Sequence, residues 1–88
     1  MMRPLELLAA EFDAAERAFL DAVRTSAARD RLATAARVVA DVAERYNALA
    51  YDRLHAGDET YWMPLDDLTA RTEVLAELWR DLASGYEA

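Results

Sequence analysis

Residues 31–55 read RLATAARVVADVAERYNALAYDRLH, and this one stretch carries two apolar seams side by side. Leu32, Ala35, Val39, Val42, Tyr46 and Leu49 follow one another in steps of three and four. Ala33, Ala36, Ala40, Ala43, Asn47, Ala50 and Leu54 do the same beside them. Such steps place side chains on one face of an α-helix. A helix with two faces of this kind touches two neighbours, and alanine lets one of them approach closely.

Both neighbours are legible on either side. Upstream, Leu5, Leu8, Phe12, Ala15, Phe19 and Ala22 form a stripe that Leu20 and Val23 widen. Downstream, Leu65, Leu68, Thr72, Leu75, Trp79 and Leu82 form another. The pattern predicts an all-α fold: a small antiparallel three-helix bundle with heptad-like seams, occupying residues 1–88 as a single domain. Helices are expected over residues 4–27, 30–56 and 64–84. The alanine seam is expected to carry a closely packed helix, either the first or third of the same chain or a symmetric copy, and a homodimer could complete the bundle through it. A chain of 88 residues buries only about 60–65% of its unfolded surface, so hydrophobic packing must be used efficiently.

Local signals set the boundaries. Pro4 suits the first helical position, where its missing N–H costs nothing. No Gly or Pro separates the first two helices, but Thr25 and Ser26 weaken the helix and Asp30 offers an N-cap, which predicts a turn over residues 27–30. Gly57 and Gly85 are the expected stops of the second and third helices, and Pro64 the start of the third. Asp66 and Asp67 complement the dipole in its first turn. Buried hydroxyls at Tyr46 and Thr72 would need partners and could fix helix register.

Composition narrows the function classes. The net charge is −7, and the chain has no Cys, Lys, Ile or Gln. Without Cys there is no disulfide or thiolate chemistry, which fits a cytoplasmic protein. Abundant Ala and Arg in place of Ile and Lys point to a GC-rich genome, such as that of an actinobacterium or its phage. No apolar run approaches the roughly 20 residues of a membrane span, and Glu6 and Glu11 interrupt any signal-peptide core. Acids and arginines balance over residues 30–56, whereas from residue 57 onward Asp58, Glu59, Asp66, Asp67, Glu73, Glu77, Asp81 and Glu87 face only Arg71 and Arg80. Nucleic-acid binding rests on a basic face, which this chain lacks.

Catalytic signatures are absent. Ser26 and Ser84 have no neighbouring base, Asp66 and Asp67 point to different faces, and two glycines cannot build a phosphate loop. No cofactor is expected. Asp52 and His55 share a helical face at i, i+3, half of the ligand set that helical di-metal proteins assemble, so a dimer-assembled metal site is one alternative. Mimicry of DNA by the acidic third helix, toward a DNA-binding protein, is another.

The most informative cluster is aromatic and sits at one end of the bundle. Tyr51, His55, Tyr61 and Trp62 are the expected partner-binding residues, because Tyr and Trp bury much area at small entropic cost. Trp62 and Met63 are also suited to folding back over the open end of the core. The expected function is a non-catalytic protein–protein interaction module: a small adaptor, an antitoxin-like inhibitor or a phage-encoded modulator. It would act through an acidic helical surface and the aromatic end patch, on a protein partner.

Overall fold

The two seams of the middle helix do meet two neighbours, and residue size on each seam explains the spacing. The computed structural model describes residues 3–57 and 61–88, which form α1 (Pro4–Arg24), α2 (Arg29–His55) and α3 (Leu65–Glu87). Together they make an all-α, antiparallel three-helix bundle with α2 at its centre. The helix α2 packs on α3 and less extensively on α1, while no Cα of α1 comes within 8 Å of one in α3 among the described residues. The bundle is correspondingly flat, 44 × 27 × 14 Å. No described helix is long and apolar enough to cross a membrane.

The alanine seam carries α3. Arg37, Glu44 and Asn47 of α2 all reach α3, which places the interleaved Ala36, Ala40 and Ala43 at that contact. These alanines are fully buried, and α3 answers with Thr72, Ala76 and Ala83. Small residues on both sides let the backbones come together. One polar group sets the register: the Asn47 side-chain amide donates to the Thr69 carbonyl and to the Thr72 hydroxyl, each at 3.0 Å. The Thr72 hydroxyl donates in turn to the Leu68 carbonyl at 2.9 Å, so the buried oxygen is used twice. Ion pairs Arg37–Glu87 (2.7 Å) and Arg80–Glu44 (2.8 Å) flank the seam. Within the single chain, α3 occupies this face.

Large rings hold α1 away from α3. Phe19 meets Trp79 edge-on at 5.1 Å and Tyr86 at 5.9 Å. Phe12 packs toward Tyr46 at 6.4 Å, beside the Glu11–Arg45 pair at 3.1 Å. Aromatic rings keep centroids 4.5–7 Å apart, so they act as spacers where alanines act as clasps.

Three boundaries differ from expectation, each for an identifiable reason. The first helix ends at Arg24 rather than residue 27. Ser26 adopts φ +57°, and the amides of Ser26 and Ala27 donate to the carbonyls of Val23 and Ala22, closing the helix as glycine normally would. Asp30 is not the N-cap: α2 begins at Arg29 after Ala28, and the Asp30 carboxylate instead accepts from the Arg31 amide at 2.9 Å. Gly85 does not stop α3, which continues to Glu87. The Arg29 guanidinium donates to the carbonyls of Gly85, Tyr86 and Ala88 at 2.9–3.1 Å, supplying the cationic C-terminal cap that carries the helix past its glycine. Gly57 behaves as expected, closing α2 at φ +69°. Of the loop expected around the aromatic cluster, Asp58, Glu59 and Thr60 lie outside the described residues.

Overpacking the clasp tests it. Ala40→Leu should lower the unfolding free energy by about 1–3 kcal/mol, read as a lower urea midpoint. Val38→Leu, two residues away on the exposed side, should shift it by less than about 0.5 kcal/mol.

Candidate protein interaction surface

The gap between α1 and α3 is a groove of about 300 Å³. Phe12, Tyr46, Leu68 and Thr72 line it from the core, with Asp13 and Arg71 at its sides and Trp62 and Met63 at the loop. Met63 is half-buried and closes the open end of the core as expected, whereas Tyr61, expected as a contact residue, packs there with it in place of Trp62. Trp62 remains 47% exposed.

The four expected contact residues fall into two pairs. Tyr61 and Trp62 meet edge-on at 6.0 Å, and the Arg3 guanidinium lies 3.6 Å from the Tyr61 ring centre. That cation ties the loop to the start of α1. Tyr51 and His55 meet at 4.3 Å with their rings tilted by 53° on the last turns of α2, and Tyr51 is 56% exposed. Asp52, the other half of the suggested metal pair, is exposed with Arg53 at 4.0 Å. Among the described residues no group of three His, Cys, Asp or Glu side chains gathers that could hold a metal ion.

Tyr46 is nearly buried yet makes no hydrogen bond with the described residues, and among them no buried side-chain polar atom lacks a partner, so its hydroxyl reaches solvent, beside the groove it lines. Burial, and secondarily the Asp13 carboxylate, push its pKa above the ordinary tyrosine value.

Sequence periodicity missed the outer face of α3. Leu82, expected in the core, is 40% exposed, and it continues a ridge with Val74 (55%) and Leu78 (60%). Beside this ridge run Glu73, Glu77 and Asp81, one residue earlier in each turn. Both rows have i, i+4 spacing, but the heptad stripe accounts for only the neighbouring face of the helix and shares Leu82 with the ridge. The arginines do little to neutralise this face. Arg24, Arg37, Arg45, Arg53 and Arg80 pair with Asp21, Glu87, Glu11, Asp52 and Glu44, and Arg29 caps α3. Glu73, Glu77 and Asp81 form no ion pair or hydrogen bond with the described residues.

No protein-family model matches the chain, and no curated protein or solved structure is significantly similar to it.

Tyr46 gives a pH signature. A tyrosine whose folded pKa lies above its unfolded value leaves stability intact below about pH 10 and withdraws it as the pH rises through the folded pKa. Tyr46→Phe should therefore flatten the loss of urea stability between about pH 9.5 and 11 while changing stability at pH 7 by less than about 1 kcal/mol, because no hydrogen bond is lost.

Proposed function

We propose that the protein is a non-catalytic interaction module that binds a protein partner through its acidic helical surface and its aromatic end. The observation that carries this reading is Trp62. A large ring that could have been folded over the core stands half out of it at the mouth of an apolar groove, next to Tyr61. Exposed Trp and Tyr beside a concavity are the usual anchors of binding energy.

The surrounding chemistry agrees with binding rather than turnover. The polar groups of the groove are Asp13, Tyr46, Arg71 and Thr72. They include no nucleophile with a positioned base, since the Thr72 hydroxyl is committed to helix carbonyls and to Asn47. Tyr51 and His55, at the end of α2, offer a second contact region. The surplus of acids over arginines on α3 suits a basic partner and would steer its approach.

The test combines native mass spectrometry with a photo-crosslinking amino acid at position 62, in cells of a GC-rich bacterium. A defined protein joined at position 62, whose native-mass complex with the otherwise unmodified chain falls at least tenfold on Trp62→Ala while the melting midpoint moves by less than about 5 °C, is the expected result. Recovery of the bare chain alone, with no cross-link at 62 or at 51, would overturn the reading.

A further inference from the structure

We propose that the outer face of α3 docks an amphipathic basic helix of a partner protein. This rests on the interaction-module reading above and names the chemistry of the partner.

Around its circumference α3 presents more than one kind of face. Its inward face is spent on α2 through Leu65, Leu68, Thr72, Ala76 and Ala83. Leu75 and Trp79 are half-buried against the core on the α1 side. A helix satisfied by these contacts alone would be polar elsewhere. Instead Val74, Leu78 and Leu82 stand exposed in a straight i, i+4, i+8 row, spanning about 12 Å along the axis. An opening of about 450 Å³ against Ala70, Arg71, Val74 and Leu75 extends the apolar strip toward the N-terminal half of the helix. This is the groove-and-ridge surface that accepts another helix through its own i, i+3, i+4, i+7 positions.

Charge identifies the occupant. Glu73, Glu77 and Asp81 form a parallel row with the same spacing, one residue out of phase with the apolar ridge and unpaired within the described residues. A helix laid on the leucines would bring its flank over these carboxylates, so lysine or arginine there would be paired and glutamate repelled. The same row disfavours a second copy of this chain. In a symmetric α3–α3 contact each acidic row would meet its twin or lie stranded beside it, with only Arg71 and Arg80 on the helix, the latter already held by Glu44. The adjoining leucines also separate this face from a bare row of phosphate-like charges.

The test uses synthetic helical peptides and the full-length protein, followed by backbone-amide NMR and fluorescence anisotropy. One peptide carries leucines at i, i+4 and i+7 flanked by lysines, a second has glutamates in place of lysines, and a third has serines in place of leucines. The Leu/Lys peptide should shift amides of residues 70–85 and bind at least tenfold more tightly than either control. Leu78→Asp should weaken it at least tenfold, and Glu77→Lys several-fold with a shallower salt dependence, both with unchanged helicity. Because Leu78 is exposed, Leu78→Ala serves if the aspartate variant is destabilised. Equal binding of the Leu/Lys and Leu/Glu peptides, shifts confined to the Trp62 groove, or a dimer of this chain that Leu78→Asp dissolves would each overturn the proposal. Loss of peptide binding alongside a persisting Trp62 cross-link would remove the basic-helix inference and leave the module reading standing.

Discussion

Side-chain size on the two faces of α2 sets the rest of the architecture. Where α2 offers Ala36, Ala40 and Ala43, α3 comes close and is fixed by Asn47 and Thr72. Where α1 must meet α3, the rings of Phe19, Trp79 and Tyr86 intervene and the backbones stay apart. A more even distribution of medium-sized residues would have closed the three helices into a triangle. The flat array and the groove between α1 and α3 follow from this inequality.

The same inequality decides what remains on the surface. A helix pressed against its neighbour through alanines buries little apolar area per residue, so stability has to be gathered along the length of α2 and α3. The polar fastenings concentrate on that pair: Asn47 to Thr69 and Thr72, Arg37 to Glu87, Arg80 to Glu44, and Arg29 on the last carbonyls of α3. Surface ion pairs contribute little energy individually, typically under about 1 kcal/mol, but these span the contact from end to end and agree on one register. With those arginines engaged, the carboxylates of the outer face of α3 are left without cations, and the leucines beside them without cover.

Most of the fold was legible because periodicity reports faces directly. The two seams of α2, its two neighbours and the stop at Gly57 could be read from spacing and from one glycine. What could not be read was the assignment of seams to neighbours, since alanine spacing alone does not distinguish α3 from a symmetric copy. The helix ends were obscured where an unusual residue or a tertiary contact stands in for the usual stop signal. Ser26 takes a left-handed conformation usually left to glycine, and Arg29, remote in sequence, extends α3 past Gly85. At the candidate site, Tyr61 and Trp62 were legible as aromatics in a loop. The ridge of Val74, Leu78 and Leu82 was not, because a heptad reading accounts for one side of a helix and passes over the other.

By this packing α2 and α3 form the stable unit, and α1 is laid onto it across aromatic spacers. Native-state hydrogen exchange with increasing urea tests this most directly, because it separates local opening from global unfolding. Amides in the middle of α2 and α3 should exchange only through global unfolding, with those of α1 opening at a lower free energy. Equal or greater protection of α1, or early opening of α3 away from α2, would contradict it.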